Sequence, residues 1–129
     1  MNIFIVEDDP ASLELTEIAL REAYGLEAIG SASDGEDAWN RLSAMVTPPD
    51  VILLDWNLPR VHGESLLGRI RAHQVLAKTP TIVVTTSISS DDNDSAEEGG
   101  ADDYVVKLPD FDAFQESLTN AINRVLARR

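Results

Sequence analysis

The sequence predicts an α/β fold in which a parallel β-sheet is covered by helices on both faces. Short aliphatic runs alternate about five times with segments of helical periodicity along the 129 residues. The strongest aliphatic runs are unbroken rather than alternating with polar residues, which is typical of strands buried on both faces of a parallel sheet. The length suits one compact domain spanning residues 1–129.

The first predicted strand is Asn2–Val6, and it ends in the acidic run Glu7–Asp9. Pro10 follows Asp9 directly, which is the pattern of a helix with an aspartate N-cap and a proline at its first position. This first helix is expected to stop at Gly25, because glycine readily adopts the left-handed conformation found just after helix ends.

The next elements are an edge strand, a helix and the central strand. The edge strand is predicted over Leu26–Ala32, and a helix over about Glu36–Val46 follows it. Val51–Leu54 is the central strand, because four aliphatic residues bounded by prolines lead into the single carboxylate of Asp55. The third helix is expected to open at Gly63.

The C-terminal half contains two more predicted strands, Thr81–Thr86 and Tyr104–Lys107. Between them, residues 91–100 hold many acids and almost no apolar side chain. This composition predicts a short fourth helix of marginal stability, because most helix stability in proteins comes from packing. The last helix is expected to start near Phe111 and to run to the end of the chain, with an apolar stripe at helical spacing.

Composition and charge exclude several classes of function. The formal net charge of -13 would repel phosphate backbones, so no nucleic acid partner is expected. The chain has no cysteine, which excludes disulfides and thiolate metal sites. No apolar run is long enough for a signal peptide or a membrane span, so we expect a cytoplasmic protein without membrane contact.

Four of the predicted strands end in a polar side chain that could take part in chemistry. The carboxyl ends of parallel strands meet at one edge of the sheet, where ligands collect in open α/β folds. This edge receives the carboxylates of Glu7, Asp8 and Asp55, the hydroxyl of Thr85 and the ammonium group of Lys107. Clustered carboxylates repel each other, and a hard cation such as Mg2+ would relieve the repulsion. A metal, an ammonium and a hydroxyl around one aspartate suit phosphoryl transfer, in which aspartate can be the nucleophile.

Four motifs, taken together, are specific for one protein family. They are Glu7–Asp8, the Asp55–Pro59 stretch with Gly63, Thr85 followed by a small residue, and Tyr104–Lys107. On these residues the chain resembles the receiver domain of bacterial two-component response regulators, in order and over essentially its whole length. The resemblance implies a flavodoxin-like, doubly wound five-stranded sheet with strand order 2-1-3-4-5. Details after the fourth strand and at Asp110–Asp112 are similar to regulators that work with bacterial phytochrome kinases.

The resemblance also implies roles for the acidic residues. Asp55 would be the residue that accepts the phosphoryl group, and Asp8 would be a direct Mg2+ ligand. Glu7 would act on the metal mostly through water, and Asn57 would offer its backbone carbonyl.

The remaining roles belong to the fourth and fifth strands. By resemblance, Thr85 and Lys107 hold the phosphoryl oxygens, and Thr85 and Tyr104 form the switch whose side chains follow phosphorylation. The family usually has proline directly after the lysine, commonly with a cis bond. Here Leu108 precedes Pro109, which leaves the geometry of both peptide bonds open.

The implied function is that of a single-domain response regulator. It would accept a phosphoryl group from a sensor histidine kinase or a histidine phosphotransfer protein, and signal by contact with a downstream protein effector. The acids between Lys78 and Lys107, where no basic residue lies, predict that the surface of this effector is basic. It would not be an enzyme, because it catalyses only its own phosphorylation and dephosphorylation. A Mg2+-dependent phosphohydrolase with an aspartyl-phosphate intermediate is disfavoured because Asn57 stands where a second acid is needed. A flavodoxin-like mononucleotide binder is disfavoured because Glu7–Asp9 replaces a phosphate loop.

Two expectations concern exposed apolar residues. Leu15, Ile18 and Ala19 form one stripe on the first helix, while Leu13, Leu20 and Tyr24 point elsewhere by helical geometry. This surplus predicts a homodimer contact, unless flanking loops cover it. Trp56 is expected to lie beside the site and to be partly exposed.

Overall fold

The fold is built on one parallel sheet, seen in a computed structural model that describes residues 1–26 and 30–128. Its strands are β1 (Ile3–Val6), β2 (Gly30–Ala32), β3 (Val51–Leu54), β4 (Thr81–Thr85) and β5 (Asp103–Val106). They are hydrogen-bonded in the order β2-β1-β3-β4-β5, and every pair is parallel. The predicted flavodoxin-like order is confirmed. Residues 27–29 of the predicted second strand lie outside the described residues.

Helices follow the strands in alternation. They are α1 (Pro10–Tyr24), α2 (Gly35–Ser43), α3 (Gly63–Ala72), α4 (Ser90–Glu98) and α5 (Phe111–Ala127). None of these helices has both the length and the apolar content needed to cross a membrane. Helix α5 ends two residues before Arg129, which lies outside the described part of the chain.

The sheet separates two hydrophobic cores. In β1, Ile3 and Ile5 pack in the core beneath α1 and α5, whereas Phe4 and Val6 pack in the core beneath α2, α3 and α4. Successive side chains of a strand point to opposite faces, so an unbroken aliphatic run supplies both cores. This is why the central strands read as continuous apolar runs in the sequence.

Local capping signals explain the boundaries of α1. The side chain of Asp9 accepts a hydrogen bond from the backbone N–H of Ser12 at 3.2 Å, and Gly25 has a φ of 65°. The predicted cap and stop are confirmed. Helix α2 ends at Ser43, earlier than the predicted Val46. Val46 is 94% exposed, so it has no core contact that would extend the helix.

The buried face of α1 differs from the predicted stripe. Leu20 is fully buried, and Leu13 and Tyr24 pack against the α1–α5 core, where the Tyr24 hydroxyl donates to the side chain of Asn123 at 2.9 Å. The interpretation of Leu13, Leu20 and Tyr24 as surplus is therefore wrong, because α5 covers them. Leu15 is the large apolar residue of α1 that stays exposed, at 50%.

Candidate functional site

The carboxyl ends of β1, β3 and β5 bring three predicted site residues into contact. The ammonium group of Lys107 lies 3.3 Å from Oδ2 of Asp55 and also forms an ion pair with Glu7. Asp55 and Glu7 are only 8% and 4% exposed. Glu7, Asp8 and Asp55 each present a carboxylate oxygen, and these oxygens lie within 4.8 Å of one another. The sheet thus gathers residues that are up to 100 positions apart in the sequence.

Burial and charge leave this cluster with excess negative charge. The pKa of Glu7 is raised to about 7, chiefly by burial and then by hydrogen bonding with Asp55, while Lys107 acts in the opposite direction. Burial alone would lower the pKa of Lys107, but its contacts with Glu7 and Asp55 raise it. One ammonium group is shared by two buried carboxylates, so the site favours an additional cation.

The donor set fits a hard divalent cation such as Mg2+. Glu7, Asp8 and Asp55 supply three oxygens within a span that one ion can bridge, and Asp8 is exposed, so the cluster is open to solvent on one side. The backbone N–H of Asn57 donates to Oδ1 of Asp55 at 3.3 Å and orients this carboxylate. Asp9 has a different role, because its side chain caps α1.

Gly63 allows α3 to begin directly against the end of β3. Its backbone N–H donates to the carbonyl oxygen of Trp56 at 3.0 Å. A Cβ atom at this position would lie only 2.8 Å from the carbonyl oxygen of Asp55 and from Cα of Trp56. Glycine is therefore required by close approach of two backbones beside Asp55.

Trp56 is buried, in contrast to the expectation of partial exposure. Only 1% of the residue is accessible, and its indole packs in the core beneath α2 and α3. The ring of His62 covers it edge-on, with the ring centroids 5.7 Å apart. The expectation was wrong because a position next to a polar site says nothing about the helix that packs over it.

The predicted switch residues are linked through Ser87. Thr85 is fully buried, and its hydroxyl oxygen accepts from the backbone N–H of Ser87 at 3.3 Å. The hydroxyl of Tyr104 donates to the carbonyl oxygen of Ser87 at 3.1 Å, and burial raises the pKa of this tyrosine. No role was predicted for Ser87 from the sequence. The spacing of Ser89 and Asp92 matches a helix N-terminal capping signal and could have drawn attention to this loop.

The loop after β5 lines an apolar groove beside the carboxylate cluster. The described residues contain no cis peptide bond, so both bonds of Leu108 are trans. Leu108 is 43% exposed and, with Leu15, lines a groove of about 180 Å3 that reaches Lys107. An apolar surface therefore adjoins the polar site.

Comparisons with known proteins agree with this geometry. Residues 3–119 match the response regulator receiver domain family. Chemotaxis protein CheY1 of Helicobacter pylori is 28% identical over 107 residues, which cover 83% of this chain and 85% of that protein.

Two solved structures are also similar. The phosphorylated cyanobacterial phytochrome response regulator RcpA has a TM-score of 0.87 at 28% identity, covering 99% of this chain and 95% of that one. The receiver domain of sensor histidine kinase PA1611 from Pseudomonas aeruginosa, with magnesium coordinated in its active site cleft, has a TM-score of 0.77 at 28% identity over 95% and 97% of the two chains. The chain belongs to the family of response regulator receiver domains.

Proposed function

We propose that the chain acts in the cytoplasm as a single-domain response regulator whose phosphoryl acceptor is Asp55. The observation that carries this proposal is the position of Asp55 at the end of β3, almost buried, in contact with Lys107 and clustered with the carboxylates of Glu7 and Asp8. A carboxylate oxygen of Asp55 forms the new bond to phosphorus while the phosphorus–nitrogen bond of a donor phosphohistidine breaks. The electron pair of that bond returns to the imidazole ring, which is then reprotonated from solvent.

The neighbouring residues hold the transferred group. Glu7, Asp8, Asp55 and the backbone carbonyl of Asn57 would hold Mg2+, which when bound neutralises charge on the phosphoryl oxygens. The ammonium group of Lys107 supplies a fixed positive charge next to Asp55. We assign the Thr85 hydroxyl as the donor to a further phosphoryl oxygen. The magnesium in the related PA1611 receiver domain supports this choice of metal.

The proposed phosphodonor is a sensor histidine kinase or a histidine phosphotransfer protein. Transfer requires the donor imidazole to reach Asp55, so the donor has to cover the open side of the carboxylate cluster. The groove lined by Leu15 and Leu108 lies on the Lys107 side of this opening and offers apolar contact area. Apolar contact beside the reacting groups would position the donor without adding charge to the site.

The proposed downstream effector binds between α4 and β5. This surface has a groove of about 310 Å3 lined by Asn93, Ala96, Glu97, Ala101, Asp102, Asp103 and Tyr104. Asp102 and Asp103 are already paired with Arg71 and Arg124, while Glu97 has no ion pair among the described residues. Helix α4 carries no basic residue, so a basic partner surface is complementary to it.

Receiver domains are signalling modules rather than classical enzymes. The family match therefore favours a signalling role over a phosphohydrolase or a mononucleotide binder. A phosphohydrolase would need an acid at the position of Asn57, and this residue is exposed and contributes its backbone N–H to Asp55. A mononucleotide binder would need a phosphate loop after β1, where the chain places Glu7 and Asp8 with their negative charges.

Phosphorylation by acetyl phosphate tests the proposal directly. The wild-type protein is expected to gain the mass of one phosphoryl group, and only when Mg2+ is present. Asp55→Asn keeps the shape of the side chain but removes the nucleophile, so it should gain no mass, whereas Asp94→Asn on the exposed surface of α4 should behave like wild type. Undiminished labelling of Asp55→Asn would show that another residue is the acceptor.

A further inference from the structure

Helix α4 is weakly held by the hydrophobic core. Among its residues only Ala96 is buried, and the helix carries acids but no base in its last turn, where negative charge is unfavourable. Ile88 precedes the N-cap Ser89 and is 87% exposed. A helix is often fixed at its start by apolar contact between the residue before the N-cap and the fourth residue of the helix, but that residue here is Asn93. The start of α4 therefore lacks this apolar contact.

Hydrogen bonds of Ser87 hold the start of α4 instead. Its hydroxyl donates to Oδ2 of Asp92 at 2.6 Å and accepts from the backbone N–H of Ser89 at 3.2 Å. The first of these bonds is short and charge-assisted, which is the stronger class of hydrogen bond. The backbone of Ser87 meanwhile contacts Thr85 and Tyr104. One serine thus joins both proposed switch residues to the first turn of α4.

The other end of α4 is anchored differently. The guanidinium group of Arg71 donates to the carbonyl oxygens of Gly100 at 2.9 Å and Thr79 at 2.8 Å, and to the carboxylate of Asp102 at 2.8 Å. Gly100 has a φ of 98°, and a Cβ atom there would lie 3.2 Å from Nε of Arg71. The C-terminal end of α4 is therefore tied to α3 and to the start of β5 at a position that favours glycine.

We propose that the Ser87–Asp92 hydrogen bond is a latch that holds the N-terminal end of α4 in the unphosphorylated protein, and that α4 pivots on the Arg71–Gly100 anchor when the latch opens. This inference rests on the proposed function, because the opening signal is the movement of Thr85 towards a phosphoryl group on Asp55. When Thr85 moves, the backbone N–H of Ser87 loses its acceptor, and the loop that positions the Ser87 hydroxyl shifts with it.

A latch that stabilises the unphosphorylated state also opposes phosphoryl binding. The two effects are reciprocal. A contact that exists in only one of the two conformations shifts the equilibrium between them by the free energy of that contact. Removing the latch should therefore tighten binding of beryllofluoride, a phosphoryl mimic, by roughly tenfold, the size expected for one hydrogen bond to a charged group at a half-buried position. A purely structural role for Ser87 would leave this affinity unchanged or weaken it.

The test compares variants of the full chain. Ser87→Ala removes the latch, and Asp92→Asn weakens it by replacing a charged acceptor with a neutral one. Ser90→Ala and Asp91→Asn are the matched controls, because they change the same residue types in the first turn of α4 and neither side chain forms a hydrogen bond of this kind within the described residues. Beryllofluoride affinity in the presence of Mg2+ and amide hydrogen exchange are measured for each protein, and circular dichroism checks that each is folded.

The latch predicts a specific pattern. Ser87→Ala should bind beryllofluoride about tenfold more tightly than wild type, and Asp92→Asn should show a smaller gain. In wild type, beryllofluoride should speed amide hydrogen exchange at residues 87–93, and residues 99–102 should stay protected from this exchange. Free Ser87→Ala should already show this pattern, while both controls should resemble wild type.

Other outcomes would overturn the latch. Unchanged or weaker beryllofluoride affinity of Ser87→Ala would do so, as would an equal gain in the controls or loss of protection at residues 99–102. Failure of wild type itself to bind beryllofluoride would instead refute the proposed function, and the latch with it. The wild-type measurement therefore separates the two failures.

Discussion

Replacing Glu7 with glutamine tests whether the site of the metal-free protein carries excess negative charge. The pKa of Glu7 is raised from 4.5 to about 7, chiefly by burial and then by Asp55. Because this pKa is higher in the folded than in the unfolded protein, the folded state binds more protons between the two values. Without metal, the stability of wild type relative to Glu7→Gln is therefore expected to fall as the pH rises from 4.5 to about 7, and to level off above.

The size of this loss of stability follows from the interval between the pKa values of Glu7 in the unfolded and folded protein. One pKa unit corresponds to about 1.4 kcal/mol, so the loss of stability across the interval is at most about 3–4 kcal/mol. At the proposed site, bound Mg2+ would take the place of the proton on Glu7. Its affinity should therefore rise by up to about tenfold per pH unit below pH 7 and become constant above.

Urea denaturation in the presence of a chelator, at pH values from 4.5 to 8, provides the measurement. Glu14→Gln on the exposed face of α1 is the matched control, because it also removes one acid but leaves the site intact. The difference between wild type and Glu7→Gln should change with pH by more than the difference between wild type and Glu14→Gln does. Parallel curves for wild type and Glu7→Gln, or a Mg2+ affinity independent of pH, would refute the reasoning.

Two more predictions concern packing and association. Gly63→Ala should destabilise the protein by about 1–3 kcal/mol in thermal or urea denaturation, because its Cβ would collide with backbone atoms beside Asp55. Gly68→Ala in the same helix meets no atom within 4 Å and should instead stabilise by up to about 1 kcal/mol; equal effects of the two would contradict the clash. If exposed Leu15 forms a homodimer contact, Leu15→Glu should give a pure monomer in sedimentation while Val46→Glu leaves association unchanged. A wild-type protein that sediments as a monomer, phosphorylated or not, would exclude the contact.

Local signals in the sequence determined the order and type of the elements. Asp9 with Pro10 and Gly25 predicted both ends of α1, because caps act through backbone groups only a few residues away. The unbroken aliphatic run before Asp55 predicted a buried parallel strand, and its position at a strand end predicted the edge at which the site lies. The acid-rich, apolar-poor composition around Asp94 predicted a short helix with little to bury, and α4 has one buried residue, Ala96. Its marginal stability remains a prediction.

Only the tertiary structure decided which groups touch and which are covered. The ion pair of Glu7 with Lys107 joins residues 100 positions apart, so no local pattern could reveal it. The burial of Trp56 depends on where α3 packs, and the burial of Leu20 depends on α5, because a side chain is excluded from water by neighbours that are distant in sequence. Likewise, Ser87 is an ordinary loop serine in the sequence, and it gains its partners only because β4, α4 and β5 converge around it.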